Sequence, residues 1–170
     1  NLVAYITQIN GLDSIWLRQL TTNTNLQILP PSDEVIRRMR FSADGQSIFF
    51  IKGKQGNASS LFRTAAIGGV PQQILNGIED VLALSPDGKK IAFVKMSEPK
   101  KTWSLSVANL DGSEEVSLIT RFITEPIWSI AWSNTNQSLT FATGETRTGQ
   151  TNVSLFQYDF KTQTEKLLTQ

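Results

Sequence analysis

The chain has 170 residues, about the length of one domain, and its 16 Lys and Arg against 15 Asp and Glu leave a formal charge of +1. That balance gives nucleic acid or an anionic membrane no electrostatic hold. The absence of His and Cys removes Ser-His-Asp and Cys-His nucleophilic machinery, disulfides and nearly every zinc geometry. Ser, Thr, Asn and Gln supply 55 residues beside 15 aromatics, a mix that suits short strands joined by turns. No stretch approaches the roughly 18 to 20 apolar residues of a membrane-spanning helix, and no charged-then-apolar leader opens the chain. Beginning at Asn1 inside a strand-like run, it is expected to be a piece of a longer polypeptide.

In chain order, the first predicted strand is Leu2–Thr7, and its pattern returns at Ser47–Lys52, Lys90–Lys95 and Ser138–Thr143. The apolar positions Val3, Ile48, Ile91 and Leu139 align, and Tyr5, Phe50, Phe93 and Phe141 repeat two residues later. The last three copies follow a strand and a tight turn. Met39 and Phe41 lead into Ser42-Ala43-Asp44-Gly45, Leu82 and Leu84 into Ser85-Pro86-Asp87-Gly88, and Ile130 and Trp132 into Ser133-Asn134-Thr135-Asn136. Apolar residues there alternate with period two, which argues strand over helix. Asp-Gly supplies a side chain that bonds its own backbone and a residue free to take positive φ, as a short hairpin requires. Asn136 can visit the same left-handed region at some cost.

A third strand aligns at Ile15, Leu61, Leu105 and Leu155, and a fourth ends at Ile28, Ile74, Leu118 and Leu168, with turn residues such as Gly68-Gly69 and Asp111-Gly112 between them. The repeating unit is a four-stranded antiparallel meander. Such units, 43 to 48 residues apart here, are the signature of an all-β β-propeller, whose blades bury both faces against neighbours. In Ser47–Ile51 and Ile91–Val94 the residues between core positions are also apolar, as burial on two sides demands. The expected organisation is one partial propeller domain over 1–170, with repeats at 1–34, 35–78, 79–122 and 123–170. About four blades are expected, the first without its inner strand and the whole forming part of a larger propeller.

Ser85-Pro86-Asp87-Gly88-Lys89-Lys90-Ile91-Ala92-Phe93 resembles the repeat of TolB-type bacterial propellers. Ser42-Ala43-Asp44-Gly45 departs from that repeat at the Pro, and Ser133-Asn134-Thr135-Asn136 departs throughout. Ser14–Leu20 running into Leu26–Pro31 is similar to the first propeller repeats of bacterial membrane-anchored Ser/Thr kinases and winged-helix regulators. That resemblance implies an extracytoplasmic sensor or interaction module, periplasmic in location, and carries no binding residue with it.

Arg38 and Arg40, beside Arg37 on a predicted inner strand, are the candidate ligand-binding residues, since guanidinium forks match carboxylate or phosphate. The competing explanation is a pair of cationic side chains reaching solvent or pairing with a neighbouring blade. Asp13, Asp33, Glu34, Glu79, Asp80 and Glu125 could offer oxygen ligands, but calcium-loop spacing is absent and solvated loop carboxylates explain them. Trp16, Trp103, Trp128 and Trp132 could stack sugars or peptides, with packing between blades the alternative for Trp16 and Trp132. Lys89, Lys90, Lys95, Lys100 and Lys101 read as solvated. No catalytic residue, metal or cofactor is expected.

The function expected is a non-catalytic module binding a protein or a small ligand. The alternative is the propeller accessory of an α/β-hydrolase-type peptidase whose catalytic domain lies elsewhere. Partners would exclude nucleic acid, and these residues would not insert into a membrane. Uncovered apolar faces at the two ends of a blade stack would favour ring closure or self-association, two copies being the simplest closed assembly.

Overall fold

The computed structural model describes residues 2–147 and 150–169, with the side chains of 146, 147, 150 and 151 outside the description. Among the described residues there are fifteen strands and no helix. A three-stranded sheet holds β1 (Leu2–Ile9), β2 (Leu12–Gln19) and β3 (Thr24–Ser32). The second sheet holds β4 (Val35–Phe41), β5 (Ser47–Gly53), β6 (Ser59–Ala65) and β7 (Gln72–Ile78). The third holds β8 (Leu82–Leu84), β9 (Lys90–Ser97), β10 (Thr102–Asn109) and β11 (Val116–Phe122). The fourth holds β12 (Ile127–Trp132), β13 (Ser138–Arg147), β14 (Gln150–Asp159) and β15 (Thr164–Thr169). Within each sheet sequence neighbours lie side by side, and among the described residues the first sheet has no counterpart of β4, β8 or β12.

The chain divides into two compact units, Asn1–Asn76 and Gly77–Gln170. In the first, Ile15, Leu17, Ile28 and Leu29 pack with Ile36, Ile48, Phe50 and Ala66, and Met39 and Phe41 lie against them. In the second, Val94, Leu105, Val107 and Ile119 pack with Ile127, Leu139, Phe141 and Tyr158. The repeat register therefore becomes the core. Ile48, Ile91 and Leu139 are fully buried, as are Phe50 and Phe93, with Phe141 1% exposed. Val3 at the first of these positions, on a strand whose described partner is β2, is 43% exposed.

One device closes the first hairpin of the last three sheets. The Ser42 hydroxyl donates to Asp44 Oδ1 (2.5 Å) and accepts the N–H of Ser47 (2.9 Å). Ser85 does the same with Asp87 and Lys90, at 2.6 and 2.8 Å. Ser133 accepts the N–H of Ser138 at 3.0 Å. Gly45 and Gly88 take φ of 71° and 68°, and Asn136 takes 59° in the same place, so the divergent last turn keeps the geometry of the other two. A β-carbon at φ > 0 is disfavoured, and Asn is among the residues that tolerate it.

These turns make an acid-sensitive element. The Ser42 hydroxyl and the Gln46 N–H hold the Asp44 carboxyl below its ordinary value, and Ser85 with the Lys89 N–H does so for Asp87. Ser113 lowers Asp111 through its hydroxyl and N–H, and Asp159 is lowered by the N–H of Thr162, then by its hydroxyl and by Lys161. A carboxylate depressed on folding contributes stability above its free-chain value of about 3.9, and that contribution is lost as pH falls through the depressed value. Urea melts are therefore expected to show stability falling below about pH 4. Asn at all four positions, which keeps an acceptor oxygen, is expected to shrink the drop; an unchanged acid limb would contradict the assignment.

Candidate functional site

A cleft of about 410 Å³ opens between the third and fourth sheets, on the side of the Ser85–Gly88 turn. Val107, Val116 and Leu118 form one wall, and Trp132 and Phe160 the other. Trp132 closes β12, and the two-residue period that puts Ile130 on the core turns Trp132 the same way. Its indole N–H donates to the Ala83 carbonyl at 3.2 Å, and its ring stacks on Phe160 with centroids 5.2 Å apart and planes 23° from parallel. Tyr158 meets Phe160 edge-on at 5.6 Å. The wall is thus held on both sides before anything binds.

The same repeat positions in the first unit behave differently. Phe41 and Ala66 stand where Trp132 and Phe160 do, and Ile28, the counterpart of Leu118, is 4% exposed. In the second unit Leu118 is only half-buried, whereas Val116 and its counterpart Leu26 are both exposed, at 56% and 44%. The cleft therefore differs from the first unit chiefly in the Trp132–Phe160 pair.

The charges at its rim are matched to one another. The Lys90 ammonium donates to Asn109 Oδ1 at 3.0 Å, and the Asn109 amide donates to Glu114 Oε2 at 3.1 Å. Asp87 accepts the Ser85 hydroxyl and the Lys89 N–H, and the Lys89 charge beside it helps keep it ionised. Two cations and two anions cancel.

A smaller polar hollow of about 190 Å³ lies around Arg121 of β11. The guanidinium ion-pairs with Glu165 of β15 and lies 5.6 and 5.2 Å from the ring centroids of Phe141 and Phe156. At 15% side-chain exposure it joins the two sheets, an arrangement that suits Arg better than Lys because the plane stacks while its edge donates. Glu125 and Glu145 also line this hollow. Among the described residues no three His, Cys, Asp or Glu side chains gather as a metal site.

Of the residues singled out in the sequence, Arg38 and Arg40 are exposed on β4, opposite Met39 and Phe41, and Arg40 donates to the Met39 carbonyl at 3.1 Å. Asp13 is not a solvated loop carboxylate. It lies in β2 at 5% exposure and accepts the Ile36 N–H at 2.8 Å and the Gln8 amide at 2.9 Å, tying the first sheet to the second. Glu34 pairs with Lys52 at 2.6 Å and Asp33 with Lys54 at 3.7 Å. Lys95, expected in solvent, is half-buried in β9 and pairs with Glu115 at 2.6 Å. Lys101 pairs with Glu98 at 2.8 Å, and Lys100 is exposed. Glu79 and Asp80 lie between β7 and β8.

The tryptophans separate by role. Trp16 donates to the Ser14 hydroxyl at 3.1 Å and Trp103 to the Ile123 carbonyl at 2.9 Å. Trp128 is 36% exposed and lies flush over Gly144, where a β-carbon would come within 3.0 Å of its ring. Trp132 alone of the four lines the cleft. Phe160 escapes sequence reading, although a signal is there: an aromatic stands where the other copies have Leu20, Ala66 and Leu110.

No family model and no curated protein matches the chain. Solved structures do. TolB from Acinetobacter baumannii superposes with a TM-score of 0.77 at 15% identity, over 99% of this chain and 41% of that one. An oligogalacturonate lyase in complex with manganese gives 0.70 at 16% identity, over 98% of this chain and 50% of that one. The β-propeller domain of the Trilobed protease from Pyrococcus furiosus gives 0.70 at 14%, over 99% and 54%. The fold is a β-propeller. The chain spans about half or less of each of these structures, and at such identity the likeness concerns fold alone.

Proposed function

We propose that the chain is a non-catalytic propeller module that binds a small ligand or a protein, as the extracytoplasmic sensing or interaction part of a larger bacterial signalling or envelope protein. The observation that carries this reading is the cleft walled by Trp132 and Phe160, of which Phe160 departs from the repeat, and which is bordered by balanced charges. Likeness to TolB structures and the Ser85–Lys89 repeat support the envelope setting. Arg38 and Arg40 are proposed as a secondary anion-facing pair on the exposed face of β4.

The peptidase-accessory reading draws support from likeness to the propeller domain of the Trilobed protease and to acylaminoacyl peptidase. An accessory domain would have no turnover of its own either, so the two readings share one test. Purified protein is expected to give no activity in a peptidase, esterase, glycosidase, lyase and phosphatase panel, and to show a saturable thermal shift with at least one member of a small-molecule and peptide library. Turnover that survives repurification would overturn the non-catalytic assignment.

A further inference from the structure

We propose that the cleft between the third and fourth sheets is a site for an uncharged, flat aromatic small molecule, an inference that rests on the binding-module reading above. The volume of about 410 Å³ falls in the range of roughly 300 to 1,000 Å³ that holds ligands of drug size. A flat ligand follows from the wall: Trp132 and Phe160 stack on each other with planes 23° apart, and an aromatic ring packed on the outer face of one of them would extend that stack. The Trp132 indole N–H is spent on Ala83, so the indole offers the ligand its face and not its donor. Its orientation is fixed in advance, and little side-chain freedom is lost on binding.

The absence of net charge on the ligand follows from the rim. Lys90, Asn109 and Glu114 form one relay, and Asp87 is held by the turn with Lys89 beside it. An anion would have to compete with Glu114 and Asp87, and a cation with Lys89 and Lys90. Across the cleft Val107, Val116 and Leu118 offer only hydrocarbon, against which an ion would be desolvated without compensation.

Fluorescence titration with N-phenyl-1-naphthylamine, a neutral probe that brightens in apolar surroundings, tests this beside the anionic 8-anilino-1-naphthalenesulfonate. One saturable neutral-probe site is expected, with at least about tenfold weaker binding of the anionic probe. Val116 is 56% exposed, so Val116→Lys and Val116→Glu should melt like the parent. Each is expected to weaken the neutral probe by about tenfold or more, because either charge must be buried beneath it. Tighter anionic than neutral binding would overturn the ligand class while leaving a binding module. Neutral-probe binding untouched by both variants, or absent altogether, would overturn the site. Enzymatic turnover would instead strike at the module reading and leave probe selectivity to be judged separately.

Discussion

Phe141→Ala is expected to lower unfolding stability by about 3 to 5 kcal/mol, the usual cost of deleting a core aromatic. Phe141 is 1% exposed, belongs to the core joining the third and fourth sheets, and stacks on Phe156 at 5.5 Å with planes 16° apart. The truncation removes ring area from that core, ends the stack, and takes one of two aromatic faces from the Arg121 guanidinium. Only partial collapse can follow, since Phe156 is also held by the Arg121 guanidinium beside it. Phe141→Leu, which keeps much of the volume, should recover more than half of the loss. Urea melts measure both, and a loss under about 1 kcal/mol for the Ala variant would place Phe141 outside the core.

Gly144→Ala is expected to cost at least as much as overpacking usually does, about 1 to 3 kcal/mol, although it adds a single methyl group. A β-carbon at this point of β13 would collide with the Asn152 carbonyl and come within 3.0 Å of the Trp128 ring. The carbonyl is backbone and cannot turn aside without disturbing β14. Gly11 makes the internal comparison: it has φ +77°, but nothing lies within 4 Å of where its β-carbon would stand, so Gly11→Ala bears only left-handed strain, about 1 to 2 kcal/mol. Equal melts for Gly144→Ala and the parent would mean that Trp128 does not seat on Gly144. Intrinsic fluorescence should report the displacement of Trp128 in the same samples.

Fold and site are legible in the sequence to different degrees, for a physical reason. A propeller core is built by repetition, so Ile48, Ile91 and Leu139 announce one another, and the strand, turn and strand around Asp44-Gly45 and Asp87-Gly88 can be read with their register. Even the divergent Asn136 is readable, because few side chains other than Asn accept the φ of 59° it adopts. A site, by contrast, depends on which side chains fill shared positions, and a repeat register does not show that Phe160 replaces Leu20, Ala66 and Leu110 with an aromatic ring. Phe160 and Trp132 are each ordinary residues in strand-rich sequence; they lie 28 positions apart, one ending β12 and the other following β14, and meet only when the fourth sheet folds. Asp13 departs from its expected solvated state for a similar reason. Its acceptor oxygens are satisfied by Ile36, 23 residues away, and by Gln8 across the hairpin, neither of which local polarity reveals. Arg121 carries no local sign at all, since its partners come from β13, β14 and β15.

The ligand cleft is tested most directly by a crystal structure of the chain grown with N-phenyl-1-naphthylamine. The expected result is β8–β11 and β12–β15 packed as two meanders, with the probe's naphthalene packed against the Trp132–Phe160 stack and its phenyl ring against Val116 and Leu118. Probe density elsewhere on the chain, with the Trp132 and Phe160 wall bare, would contradict it.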